Sequence, residues 1–143
     1  MNVKQLRPKS KNSKRLLFDW KKLLRAIKEK LRNRKLRKID KFIAKEIIMG
    51  IGHQPTSLTY NNSRKYWQIC WEGFDGECLI LKVSSKLYMN LDSDTRVKAI
   101  WYQFVHPRSA DKRLQAWPIT DGNCLVNLIY NCREALSVLH SLN

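Results

Sequence analysis

Acids are scarce in this chain, and so are glycine, proline and long apolar runs. Only 12 of its 143 residues are Asp or Glu, against 28 Lys or Arg, for a formal charge of +16. A surplus of that size is foreign to a typical small soluble enzyme and points to a polyanionic partner. Five glycines and four prolines are too few for a collagen-like or low-complexity chain. The longest apolar run in the first forty residues is Leu16-Leu17-Phe18. A secretory signal needs roughly 7–15 such residues and a membrane span about 18, so neither is expected here. A transit peptide would be basic and amphipathic, as this start is, but Arg- and Ser-rich where Lys dominates here. Cysteine is sparse as well: Cys70, Cys78, Cys124 and Cys132, with no C-x-x-C and no His at a finger-like spacing. Four reduced, mostly buried thiols in a cytoplasmic protein are the expectation, with no metal and no cofactor.

What is present is a steep charge gradient on a chain that is 43% hydrophobic, enough to build a packed core. Residues 1–50 hold 18 of the Lys/Arg and 4 of the Asp/Glu, and the remaining 93 residues are nearly balanced. Such asymmetry suggests an arm that meets nucleic acid or an anionic membrane. Residues 1–13 are polar, basic and aperiodic, which reads as a flexible basic tail. Ser13 is positioned to cap a following helix. Leu17, Trp20, Leu24, Ile27 and Leu31 then recur in steps of 3, 4, 3 and 4, the mark of a helix. The stripe slips at Asn33 and resumes as Leu36, Ile39, Ile43 and Ile47, so residues 14–50 form one bent helix or a helix pair. Gly50 and Gly52 end it, and residues 50–55 are the expected hinge. Its other faces are cationic, and Arg32-Asn33-Arg34-Lys35-Leu36-Arg37-Lys38 places five positive charges in seven residues. Adjacent like charges repel and weaken a helix, a cost that bound phosphates would relieve. Arg adds a planar fork suited to phosphate and guanine edges.

Residues 55–143 read as an α+β globular domain. Tyr66-Trp67-Gln68-Ile69-Cys70-Trp71 alternates, with Trp67, Ile69 and Trp71 on one face. Residues 78–91 alternate too, with Leu79, Leu81, Val83, Leu87, Met89 and Leu91 together. A three-residue loop, Phe74-Asp75-Gly76, pairs Trp71 with Leu79, Ile69 with Leu81 and Trp67 with Val83, so the apolar faces coincide. Asp92-Ser93-Asp94-Thr95 is turn chemistry. Residues 97–105 are apolar on both faces, as in a central covered strand. Residues 114–119 read as a strand that is an edge or ends at Pro118, because Pro118 cannot donate to a ladder. Asp121-Gly122-Asn123 opens a helix with Leu125, Leu128, Ile129, Cys132, Leu136, Leu139 and Leu142 on its buried face. The expected fold is a basic N-terminal helix or helix pair, an antiparallel meander of four to five strands, and a C-terminal helix packed on the sheet.

The functional expectation is a small, non-catalytic nucleic-acid-binding protein, RNA slightly before DNA, acting as a subunit or regulator of a nucleoprotein assembly. Lys21, Lys22, Arg25, Lys28, Arg32, Arg34, Lys35, Arg37 and Lys38 would clamp phosphates. Arg108, Lys112 and Arg113 of the 106–113 loop would add contacts. A toxin-like nuclease is the alternative from another class, with His106 or Glu77 as the available catalytic group. Glu72, Asp75 and Glu77 cluster at one hairpin, but acids are common in turns. His53, in Gly-Ile-Gly-His-Gln-Pro, reads as part of a helix-ending turn, and His140 as a helix-surface or helix-end residue. Tyr66, Tyr88 and Tyr102 are candidates for base stacking on an open sheet face. A third reading uses the amphipathic helix on a partner protein or an anionic membrane surface.

Overall fold

In the computed structural model, which describes residues 11–108 and 113–141, the first element is a single helix. This helix, α1, runs Lys11–Ile51 without a break. The slip at Asn33 therefore changes which side chains are apolar, not the course of the backbone. Ser13 lies inside the helix rather than at its cap. Of the expected tail, residues 1–10 fall outside the described residues and 11–13 are helical. The helix ends where glycine chemistry ends it: Gly52 takes φ +80° and its N–H donates to the Ile48 carbonyl at 3.0 Å.

Among the described residues six strands follow: β1 (Ser57–Asn61), β2 (Tyr66–Glu72), β3 (Cys78–Val83), β4 (Tyr88–Asn90), β5 (Arg96–Val105) and β6 (Gln115–Pro118). All pairings are antiparallel. β1 pairs with β2 and β2 with β3, while β5 takes β3, β4 and β6 as neighbours. The β2–β3 register matches Trp71 with Leu79, Ile69 with Leu81 and Trp67 with Val83. The shorter loop brings both apolar faces to the same side. Gly73 N–H closes the hairpin on the Glu77 carbonyl at 2.7 Å, and Gly76 takes φ +84° at the tip.

The alternating segment 78–91 is split into β3 and β4. The reason lies in residues 84–87. Ser85 N–H donates to Asp40 Oδ1 at 3.0 Å, and Lys86 N–H donates to Ser84 Oγ at 3.1 Å. Side chains have taken those two donors, and the strand is interrupted there.

α2 (Gly122–Ser141) starts with Asp121 Oδ1 accepting the Cys124 N–H at 3.0 Å, an N-cap bond. Leu128, Cys132, Leu136 and Leu139 are fully buried, and Leu125 and Ile129 pack beside them; Leu142 lies outside the described residues. These join Ala44, Ile47 and Ile51 of α1 and Trp67, Ile69, Trp71, Leu79, Leu81, Val83 and Ile100 of the sheet in one core. The Ile129 side chain of α2 packs against the α1 backbone, so that a Cβ on Gly50 would lie 2.8 Å from Ile129 Cδ1. β5 turns Ile100, Tyr102 and Phe104 to this core, while Trp101 is only partly buried and lies outside it. The fold is α+β, with an N-terminal helix, an antiparallel sheet in a meander-like order and a C-terminal helix packing on it.

Two compact units divide the chain, Met1–Leu36 and Arg37–Asn143. The division falls inside α1, not at residues 50–55. The second half of the helix belongs to the globular unit because Asp40, Ala44, Ile47 and Ile51 are buried in it.

Candidate nucleic-acid interface

From residue 21 to residue 35 every Lys and Arg of α1 is exposed. Lys21, Arg25, Lys28, Arg32 and Lys35 follow steps of 4, 3, 4 and 3. At 100° per residue these five lie within a sector of about 80°, and at 1.5 Å per residue they extend about 21 Å along the axis. They form a continuous cationic ridge. Lys22, Lys30 and Arg34 lie on other sides of the same segment, and Glu29 is its single acid.

A second ridge runs beside the first. Leu24, Ile27 and Leu31 are exposed by 41%, 45% and 54%, and Leu23 by 50%. The 3-4 spacing legible in the sequence is thus helical, but in residues 21–31 it is not a core face. Leu17 and Trp20 continue the pattern in sequence, and their side chains lie outside the described residues. Further on, Ile39 and Phe42 are exposed too, and burial shifts to Asp40, Ile43, Ala44 and Ile47.

Arg37 and Lys38 belong to the globular unit, and Arg37 has a defined place there. Its guanidinium lies 4.2 Å from the centre of the Tyr60 ring and 5.5 Å from that of Trp67. Its carbonyl accepts the Trp67 Nε1–H at 2.9 Å. Lys41 Nζ sits 5.2 Å from the same indole. Burial raises the Tyr60 pKa, and the Arg37 charge works against that rise. These cations cover aromatic faces as well as presenting charge.

The 106–113 loop places Arg108 and Arg113 at the surface, while Lys112 lies outside the described residues. His106 Nδ1 accepts the Arg108 N–H at 3.1 Å. The loop lies beside the β2–β3 hairpin, since a Cβ on Gly76 would stand 3.4 Å from Pro107 Cγ. In that hairpin Glu77 is 1% exposed and neither carboxylate oxygen has a hydrogen-bond partner. A closed-off carboxylate is poorly placed to meet a nucleic-acid substrate. Glu72 and Asp75 are exposed. No group of three or more His, Cys, Asp or Glu side chains gathers to hold a metal among the described residues.

The three tyrosines do not make an open stacking platform. Tyr66 is buried, with Lys82 Nζ 5.1 Å from its ring centre. Tyr88 carries the Arg96 guanidinium 4.4 Å above it. Tyr102 pairs with Leu81 and packs against the core. Sequence reasoning missed these cation–aromatic pairs. The one signal for Lys82 is its register opposite Gln68, which puts it diagonal to Tyr66.

The cysteines are unpaired. Burial pushes Cys132 up to about 12, and burial with the neighbouring Cys78 pushes Cys70 up to about 11. Neither is a nucleophile near neutral pH. His53 lies in the turn after α1, where its carbonyl accepts the Trp71 Nε1–H at 3.1 Å. The His140 side chain lies outside the described residues.

A cavity of about 240 Å³ opens in the globular unit between α1, the sheet and α2. Ile43, Ile100, Ile119 and Leu125 line it, with Asp40 and Lys98 as its charged groups. Asp40 is already engaged by Ser85, so its carboxylate serves the loop at 84–87. Among the described residues no helix is long and apolar enough to cross a membrane. Comparison with protein-family models, with curated proteins and with solved structures finds no match to this chain.

Proposed function

We propose that the protein binds nucleic acid through the exposed cationic ridge of α1, as a non-catalytic component of a nucleoprotein assembly. The observation that supports this reading is the ridge itself, with Lys21, Arg25, Lys28, Arg32 and Lys35 exposed on one side of a continuous helix. Such a helix face matches the wall of a groove or the backbone of a structured RNA loop. Arg25 and Arg32 supply planar forks and the lysines point charges. Duplex phosphates follow one another at about 3.4 Å of axial rise per strand, so a ridge of about 21 Å faces several at once. Each phosphate neutralised releases a counterion, which makes affinity fall steeply with salt. Arg34, Lys38, Arg108 and Arg113 stand as additional contacts.

The test is fluorescence anisotropy with labelled single-stranded RNA, duplex RNA and duplex DNA across a series of salt concentrations. Deleting residues 1–50 would strip Ala44 and Ile47 from the core, so substitution is the cleaner comparison. Changing all five ridge residues to Gln should lower the log–log salt slope by about 3–5 and weaken binding to every ligand. Equal binding by the native and substituted chains would refute the proposal.

A further inference from the structure

The apolar ridge needs an occupant other than phosphate, and its pattern specifies one. We infer that residues 17–31 of α1 form a docking seam for an acidic amphipathic helix of a different protein. Leu17, Trp20, Leu24, Ile27 and Leu31 occupy the a and d positions of a heptad repeat. Steps of 3 and 4 without interruption are the 3.5-residue period of a helix–helix seam. Leu24, Ile27 and Leu31 are open to solvent along it, with Leu23 at a g position beside them. The segment belongs to the unit Met1–Leu36, separate from the unit that holds the core.

The charges flanking the seam choose the partner. Lys21, Lys28 and Lys35 fall at successive e positions, and Lys30 at g. The acids of the segment, Asp19 and Glu29, fall at c and f and do not flank the seam. A second copy of this chain would therefore bring no acid to these lysines. In parallel pairing Lys30 meets Lys35, and in antiparallel pairing lysine meets lysine along the e edge. A partner helix with apolar a and d positions and Glu or Asp at e and g satisfies the apolar ridge and the lysines that flank it, since e/g charges set partner choice. Arg25 and Arg32, at b positions, point away from such a seam. This inference does not rest on the nucleic-acid reading.

The probe is a designed 28-residue peptide with Leu and Ile at a and d and Glu at e and g, titrated into the full chain by calorimetry. The acidic peptide should bind, and the same peptide with Lys at e and g should not. Leu24→Gln with Ile27→Gln should weaken binding at least about tenfold while leaving RNA anisotropy unchanged. Lys21→Glu with Lys28→Glu should reverse the preference toward the basic peptide, which keeps the test decisive should the first variant lose helix. Failure of the acidic peptide to bind would overturn the inference, as would binding that ignores the Leu24 and Ile27 changes. So would seam-dependent self-association of the chain in sedimentation. Seam-dependent binding to phosphatidylglycerol vesicles without peptide binding would assign the ridge to a lipid surface instead.

Discussion

Asp40 shows how one residue can be invisible in a sequence and central in a fold. In the chain it is one acid among many cations, flanked by Ile39 and Lys41. In the structure it is buried, accepts the Ser85 N–H and hydroxyl, and lies near Ser84 and Lys98. Burial raises its pKa above the ordinary 3.8, although the bonds from Ser85 and the Lys98 charge oppose the rise. The sign of the linkage follows. Below about pH 4 the carboxyl is protonated in both states and its ionisation costs nothing. As pH rises, the unfolded chain ionises first, and the fold loses stability until the folded pKa is passed. Asp40→Asn removes this term, so the native chain should lose melting temperature relative to the variant from about pH 4 upward. Parallel melting curves across that range would disprove it. Glu77 is a second case, a buried carboxylate without a hydrogen-bond partner beside Gly73. Its place in a turn reads as solvent-exposed, and only the three-dimensional packing encloses it.

Among the elements, α1 is two helices in chemistry and one in backbone. Ile47 and Ile27 are the same residue type in the same helix, yet Ile47 is 1% exposed and Ile27 45%. Ile47→Ala should cost about 2–5 kcal/mol of unfolding free energy, and Ile27→Ala less than about 0.5 kcal/mol. Urea denaturation of the two variants measures the contrast, and similar losses would mean that residues 21–31 are packed in solution. The β2–β3 hairpin was legible to the residue, because only one register sets Trp67, Ile69 and Trp71 against Val83, Leu81 and Leu79. Gly76→Ala places a side chain at φ +84° and should cost about 1–2 kcal/mol by the same assay. A stability change near zero there would mean that the loop adopts another turn. The interruption between β3 and β4 was not legible. Periodicity runs on through residues 84–87, and the Asp40 carboxylate that takes the Ser85 donor comes from 45 positions away.

At the scale of the whole molecule, core and net charge are unevenly divided along the chain. Residues 37–143 hold the core, and the unit before them carries 14 of the 28 Lys and Arg with only Asp19 and Glu29 to balance them. High salt should therefore weaken any polyanion complex far more than it changes the melting temperature, because exposed charge is screened and buried apolar area is not. Melting and anisotropy measured in the same buffers, from 50 to 500 mM salt, check this; parallel losses would tie the charged segment to the fold itself. Composition and charge already concentrate the cations in residues 1–50 and leave the remaining residues nearly balanced. Alternation and turn residues placed most of the strands, the hairpin register and the C-terminal helix, since these follow from local chemistry and period. Tertiary structure alone decided three things: that α1 is unbroken, that its second half is core while Leu24, Ile27 and Leu31 stay open, and that Tyr66, Tyr88 and Tyr102 are covered. A 3-4 stripe encodes a helix face, but what that face meets depends on residues far away in sequence, and periodicity carries no record of them.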